Sequence, residues 1–336
     1  MFYIKLESGI ICFMKSYMLI LFLGFVLSLV VVLVLMPFYI KLLHRLKYNQ
    51  SVSEYALDEY KNKAATPIMG GLLFVIIPVL VTLVIDTKIV NDPLSVMVIL
   101  SYLLFCLVGF LDDILIIINK DNKGLSPKLK MLMQIVFAAL IYFAYRNYLI
   151  TSIHLPLINI DIPLGFVYSI FMVFVYCAES NAVNFTDGMD GLCSGVSLIS
   201  LIPFLVFAIN GNKYDLAILI VSIMGALIGY LRYNFYPASI FMGDSGSLAL
   251  GALFASIAIA LNKEIALIFV GGVFVYEMLC VCIQQIAVRV FKRRVFRYTP
   301  IHYAFVLRGM IEKKVVIMFY GMAAIFSLIG FVIGVI

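Results

Sequence analysis

Residues 17–42, YMLILFLGFVLSLVVVLVLMPFYIKL, form an apolar run whose only charged residue is Lys41. About 20 apolar residues in an α-helix cross the hydrocarbon core of a bilayer, so this run is long enough to span a membrane. Nine comparable runs follow, near residues 68–86, 94–111, 130–147, 164–179, 192–210, 214–231, 246–261, 265–288 and 315–336. They predict an all-α, polytopic integral membrane protein of about ten transmembrane helices, because helices satisfy their own backbone hydrogen bonds in lipid.

The composition agrees with this class. Only 12% of the 336 residues are charged and 64% are hydrophobic, whereas soluble domains carry about 25% charged residues. No internal repeat or long linker divides the chain, so we expect a single transmembrane domain over residues 1–336. Residues 1–16, which include Lys5, Glu7 and Lys15, could be a dispensable amphipathic extension of it. The six cysteines lie mostly in apolar runs and are interpreted as small apolar side chains.

Basic residues are unequally divided between alternate loops. One side of the predicted membrane holds eighteen of the 24 Lys and Arg residues, and the other side holds six. Cytoplasmic loops are the ones enriched in Lys and Arg, so this bias predicts that both termini lie outside. The net charge of +6 is therefore a topology signal, which could also attract anionic lipid headgroups, rather than a sign of nucleic-acid binding.

The stretch Asn181–Leu192, NAVNFTDGMDGL, lies between two apolar runs and carries two carboxylates, Asp187 and Asp190. It also carries two carboxamides, Asn181 and Asn184. Polar groups beside hydrocarbon are costly unless they have partners, so they indicate a functional site. The alternative is an ordinary polar loop between two transmembrane helices.

Three further polar clusters fall on the same predicted cytoplasmic side. They are Gly109–Asp113 (GFLDD), Asn234–Ser247 (NFYPASIFMGDSGS) and Arg293–His302 (RRVFRYTPIH). Together with Asn181–Leu192 they hold five aspartates, which would repel one another unless a cation intervenes. Oxygen ligands of this kind suit Mg²⁺, which one or two carboxylates hold together with substrate phosphates. Nearby lysines fit a diphosphate substrate or are ordinary topology residues: Lys120, Lys123, Lys128 and Lys130.

Other polar residues have two interpretations each. The helix predicted to begin near Asp244 could offer free N–H groups to a phosphate, or Asp and Ser could simply cap it. Glu277 lies inside an apolar run, with Gln284 on roughly the same helix face, and could hold helices together. His302 could meet a diphosphate or transfer a proton, or be a solvated loop residue.

Taken together, these motifs resemble those of the polyprenyl-phosphate N-acetylhexosamine-1-phosphate transferase family. The matching segments are Thr66–Gly71, Gly109–Asp113, Asn181–Leu192, Phe241–Ser247 and Phe296–His302, which span nearly the whole chain. The resemblance is to the branch that uses a muramoyl-pentapeptide donor. It implies a ten-helix enzyme of the bacterial plasma membrane, a homodimer with its active site on the cytoplasmic face. It also implies Mg²⁺-dependent transfer of phospho-N-acetylmuramoyl-pentapeptide from a UDP-linked donor to undecaprenyl phosphate, giving lipid I and UMP.

The resemblance also implies roles for individual residues. Catalytic roles fall on Asp112, Asp113, Asp244 and His302, with Asp244 as the Mg²⁺ ligand and Asp187 as a second candidate ligand. Substrate-binding positions are Lys63, Lys128, Asn181, Asn184, Asp187, Asp190, Asn234, Phe241 and Gln284.

The chain departs from the family pattern mainly near His302. It has His302-Tyr303-Ala304 where the family has three histidines, and Val306 where an acidic residue follows; Ala65 and Ile68 replace a glycine and a threonine. Three alternatives therefore stay open: a transferase using another UDP-N-acetylhexosamine, a transporter, and a binding protein without catalysis. The reaction could be a single displacement aided by Asp112, or a two-step route through an aspartyl-phosphate.

Overall fold

The computed structural model describes residues 2–46, 48, 66–119 and 124–336, with side chains from residue 17 onward. Its helices are α1 Phe2–Arg45, α2 Gly71–Ile85, α3 Pro93–Asn119, α4 Pro127–Tyr145, α5 Val167–Thr186, α6 Leu192–Asn210, α7 Tyr214–Asn234, α8 Asp244–Ala260, α9 Glu264–Val270, α10 Gly272–Phe291, α11 Ile301–Val306 and α12 Glu312–Val335. Two strands, β1 Ser152–Leu155 and β2 Ile160–Pro163, form an antiparallel hairpin between α4 and α5. Short 3₁₀ segments lie at Thr87–Asn91, Arg146–Tyr148 and Pro156–Ile158.

The described part of the chain contains seven helices that are long and apolar enough to cross a membrane, together with the shorter apolar helices α2 and α8. This confirms the predicted all-α, polytopic membrane class. The count of ten spans and the outward position of both termini stay predictions.

Helix α8 lies at the centre of the bundle, packed against α2, α3, α5 and α9. All of its residues from Ser245 to Ile259 are buried. Two glycines allow the neighbouring helices to approach its backbone closely. A Cβ on Gly109 of α3 would lie 2.0 Å from the carbonyl oxygen of Asp244, and one on Gly251 would lie 2.3 Å from Cα of Ser180 on α5. Any larger residue at these positions would push the helices apart.

Three features differ from the helix pattern predicted by sequence. Helix α5 continues to Thr186, so the first half of Asn181–Leu192 is helical rather than part of a loop. The predicted run 265–288 is broken at Gly271 into α9 and α10, where two adjacent glycines disfavour a continuous helix. The hairpin was not predicted, because each strand has only four residues, and an alternation of polar and apolar residues over so short a length is a weak signal.

Candidate active site

A lysine lies between two aspartates at one end of the bundle. The ammonium Nζ of Lys130 on α4 is 3.1 Å from Oδ1 of Asp112 on α3. The same ammonium forms an ion pair with Oδ2 of Asp244, the first residue of α8. Two carboxylates this close repel each other unless a positive charge separates them. Lys130 therefore allows both aspartates to share one partly buried site.

Asp113 has a different environment from its neighbour Asp112. Its two carboxylate oxygens accept the backbone N–H groups of Asp244 and Ser245, each at 3.0 Å. Adjacent residues lie about 100° apart around a helix, which is why Asp112 meets Lys130 while Asp113 meets the start of α8. Gly243, at φ +73°, makes room for this contact, since a Cβ there would lie 2.6 Å from Oδ2 of Asp113. The start of α8 is thus capped by a carboxylate from α3 and is not open to a phosphate.

The other oxygen of Asp244 is held by Asn184. Nδ2 of Asn184 donates to Oδ1 of Asp244 at 2.8 Å and to Oγ of Ser247 at 2.9 Å. Asn181, one helical turn earlier, donates instead to Oε1 of Gln134 at 2.8 Å. Asn184 therefore belongs to the aspartate site, whereas Asn181 ties α5 to α4.

The turn between α5 and α6 carries Asp187 and Asp190. Asp187 is half-buried, and burial together with the negative charges of Asp244 and Asp190 raises its pKa to about 8. Asp190 is buried and accepts the backbone N–H of Ala238 at 2.9 Å. Asn234 accepts the backbone N–H of Gly191 at 3.1 Å. Asp190 and Asn234 thus brace the loops around Asp187.

His302 and Glu277 form a fully buried pair. Nδ1 of His302 lies 3.0 Å from Oε1 of Glu277, and both side chains are 0% exposed. The Glu277 carboxylate also accepts the backbone N–H groups of Ile301 and His302. Glu277 therefore holds the start of α11 and the imidazole ring, rather than joining two membrane helices.

Gln284 and Phe241 each form hydrogen bonds that fix a loop: the loop after α10 for Gln284 and the loop before α8 for Phe241. Oε1 of Gln284 accepts the backbone N–H groups of Val295 and Phe296, at 3.0 and 2.9 Å. Gln284 also borders a cavity of about 300 Å³ whose lining includes Arg289, Arg294 and Arg297. Phe241 is half-buried, and its backbone bonds to Pro67 and Gly70. The Phe241 contacts bring the Thr66–Gly71 motif beside the loop that precedes Asp244, and the Gln284 contacts hold the Phe296–His302 motif against α10.

Substrate binding by Lys63 and Lys128 stays a prediction. Lys128 is exposed in the first turn of α4, and Lys63 lies outside the described residues. Lys130, two residues after Lys128, is the lysine that reaches Asp112 and Asp244. The sequence does indicate that Lys130 has a partner inside the protein. Lys130 and Gln134 are four residues apart, so they share one face of a largely apolar helix.

The residues present fit a Mg²⁺ ion that takes part of its ligands from a substrate. Within the described ranges, no group of three or more His, Cys, Asp or Glu side chains could hold a metal ion by itself. Mg²⁺ sites commonly use one or two carboxylates and complete their octahedron with water and phosphate oxygens. Asp112 and Asp244 lie close enough to share one cation, the Lys130 ammonium, so their oxygens could contribute one or two ligands to such an ion.

Comparisons with known proteins place this chain in a known enzyme family. The family model described as glycosyl transferase family 4 matches residues 95–262, which include both Asp112 and Asp244. Three proteins named phospho-N-acetylmuramoyl-pentapeptide-transferase are similar over nearly their whole length. That of Geobacillus sp. is 38% identical over 93% of this chain and 97% of its own. That of Staphylococcus epidermidis is 40% identical over 94% and 99%, and that of Staphylococcus aureus is 42% identical over 92% and 98%. The chain therefore belongs to glycosyl transferase family 4 and, within it, to the phospho-N-acetylmuramoyl-pentapeptide-transferases.

Proposed function

We propose that the chain transfers phospho-N-acetylmuramoyl-pentapeptide from its UDP-linked donor to undecaprenyl phosphate, a step of peptidoglycan precursor synthesis. The products are lipid I and UMP. The reaction would take place in the bacterial plasma membrane, in a homodimer whose sites open to the cytoplasm. The observation that carries this proposal is the ion pair of Lys130 with both Asp112 and Asp244 at the end of a helical bundle.

The reaction is a single displacement at phosphorus. An oxygen of the lipid phosphate attacks the sugar-bearing phosphorus of the donor, a new P–O bond forms, and the P–O bond to UMP breaks. Asp112 accepts the proton of the lipid phosphate where that group is still protonated, or orients it where it is not. Lys130 would stabilise negative charge on the diphosphate as the bond to UMP breaks. Mg²⁺, held by Asp244 together with phosphate oxygens, would add Lewis-acid stabilisation of that charge.

Asp113 serves this reaction indirectly. Both of its oxygens accept backbone N–H groups of α8, and its side chain is buried. An aspartyl-phosphate on Asp113 would remove the carboxylate charge and displace the N–H group from the oxygen that carries the phosphate, which would weaken the cap of the helix that carries Asp244. This contact favours the direct route over a two-step route through Asp113.

Donor choice is tested by a panel of UDP-sugars. Purified chain with undecaprenyl phosphate and Mg²⁺ should release UMP from UDP-N-acetylmuramoyl-pentapeptide and much more slowly from UDP-N-acetylglucosamine. Faster release from another UDP-N-acetylhexosamine would identify a paralogous transferase. No release from any donor would point to a transporter or an inactive binding protein.

The route is tested by omitting the lipid. Direct transfer predicts no UMP burst and no phosphorylated enzyme when the donor is added alone. A stoichiometric burst before lipid addition would establish the two-step route.

A further inference from the structure

We propose that Tyr303, together with the Glu277–His302 pair, is a positioning residue that fixes the turn carrying Asp187. This inference rests on the proposed transferase function. It assigns a role to Tyr303, which stands where the family has a histidine. The three side chains would act through the backbone of Gly188, the residue that directly follows Asp187.

The first step is the anchoring of the imidazole. Glu277 lies inside α10, and its carboxylate accepts three hydrogen bonds: from the backbone of Ile301 at 2.7 Å, from the backbone of His302 at 3.2 Å and from Nδ1 of His302 at 3.0 Å. A buried carboxylate with three donors is well satisfied and has little freedom to move. The start of α11 and the His302 ring are therefore fixed relative to α10.

The second step is the contact between this ring and the turn. A Cβ added to Gly188 would lie 2.2 Å from Nε2 of His302 and 2.8 Å from the hydroxyl of Tyr303. Both side chains thus lie directly against the backbone of Gly188. The hydroxyl of Tyr303 donates to the carbonyl oxygen of Gly188 at 2.7 Å, while the Tyr303 and His302 rings pack with centroids 4.3 Å apart.

The third step is the dependence of Asp187 on this backbone contact. Among the described residues, no side chain or backbone group donates a hydrogen bond to the Asp187 carboxylate. Its position is therefore set by the backbone on either side of it. The N–H of Asp187 bonds to the carbonyl of Asn184 at 3.2 Å, and Tyr303 holds the Gly188–Met189 peptide that follows.

The tyrosine at position 303 therefore keeps the hydrogen-bond donor that a histidine there could provide. A histidine at position 303 could donate one ring N–H, and tyrosine donates a hydroxyl. The Tyr303 hydroxyl reaches the Gly188 carbonyl without requiring a protonated ring, so the hydrogen bond is independent of the charge state of a histidine.

The test is a double-mutant cycle of Tyr303→Phe and Asp187→Asn, measured by steady-state UMP release at varied donor and varied lipid concentrations. Phenylalanine removes only the hydroxyl. We expect Tyr303→Phe to raise the donor KM by about three- to tenfold, the range of one neutral hydrogen bond, with the lipid KM unchanged. In the Asp187→Asn background, the same substitution should change the donor KM by less than about twofold. Tyr303→His should restore most of the loss.

Two outcomes of the cycle would overturn the proposal. One is a Tyr303→Phe effect that is equally large with and without Asp187. The other is a loss that falls on kcat and both KM values alike, as general destabilisation would produce.

A second measurement does not depend on turnover. The chain has only three histidines, so ¹⁵N-histidine NMR can resolve the His302 ring. We expect a protonated, hydrogen-bonded Nδ1 in the wild type and a shifted Nδ1 signal in Glu277→Gln, in which a neutral amide replaces the charged acceptor and which should fold. An unprotonated Nδ1 in the wild type would refute the anchoring step. If instead the wild type releases no UMP but shows this signal, the proposed function fails while the anchoring step stands.

Discussion

Nζ of Lys130 on α4 lies 3.1 Å from Oδ1 of Asp112 on α3, close to the point where α3 packs on the start of α8. The same ammonium binds Asp244. One positive charge thus holds together a group that could activate the lipid phosphate and a group that could bind a metal. The predictions below follow from this arrangement and from the contacts around it.

Lys130→Ala should lower kcat/KM for UMP release by at least about 100-fold. The substitution leaves two carboxylates unscreened and removes a charge that would stabilise the diphosphate. Lys314→Ala is the control, since Lys314 is exposed in the first turn of α12 and should change kcat/KM less than about threefold. Equal losses in both variants would mean that the lysines act only through general positive charge.

Asp112→Asn should mainly reduce activity, whereas Asp113→Asn should mainly reduce stability. In Asp113→Asn, one of the two backbone N–H groups at the start of α8 loses its acceptor, which should reduce the free energy of unfolding by about 1–3 kcal/mol. Asp112→Asn should abolish most activity with a smaller loss of stability. Thermal unfolding and UMP release on both proteins separate the two effects, and an equally stable Asp113→Asn would contradict the capping role.

Gly109→Ala should prevent correct packing of α3 on α8, because the added Cβ would lie 2.0 Å from the carbonyl oxygen of Asp244. We expect a large drop in the yield of folded protein or in its thermal midpoint. The control is Gly321→Ala on α12, where no atom lies within 4 Å of the added Cβ, and alanine should be neutral or slightly stabilising. A fully stable Gly109→Ala would show that the two helices can separate without loss.

Stabilisation by Mg²⁺ should increase with pH. The pKa of Asp187 is raised to about 8, while an unfolded aspartate titrates near about 4. Between these values the folded chain binds more protons than the unfolded chain, so the contribution of Asp187 to stability falls as the pH rises. A bound cation would offset this by favouring the ionised carboxylate.

The thermal midpoint measured with and without Mg²⁺ at pH values on both sides of about 8 checks this prediction. We expect the difference to grow with pH in the wild type and to grow less in Asp187→Asn. A pH-independent difference in the wild type would exclude Asp187 from the metal-sensitive group.

Sequence patterns predicted that the chain is a membrane protein. They also predicted that polar clusters far apart in the sequence come together in one site. Apolar runs identify helices because the bilayer demands them, and Gly109–Asp113 and Asp244 fall near the ends of such runs. The choice between Lys128 and Lys130 could not be made in the same way. The two lie about 200° apart around α4, and only the packing of α4 beside α3 decides which of them reaches the aspartates.

The cap formed by Asp113 was unpredictable for a related reason. Local sequence suggested capping by Asp or Ser within the loop before α8, whereas the acceptor comes from a helix about 130 residues earlier. The contact depends on the close approach of two backbones at Gly109, a tertiary feature. Glu277 was likewise interpreted as a tie between helices, because its three donors come from the start of α11, a short helix whose position the sequence does not reveal.

The most direct test of the transfer site is UMP release from UDP-N-acetylmuramoyl-pentapeptide by the purified wild type and by Asp112→Asn. We expect release that requires both undecaprenyl phosphate and Mg²⁺ in the wild type, and release reduced close to background in Asp112→Asn although that variant stays folded. Release that persists in a folded Asp112→Asn, or that needs no lipid acceptor, would contradict direct transfer at the site formed by Asp112, Lys130 and Asp244.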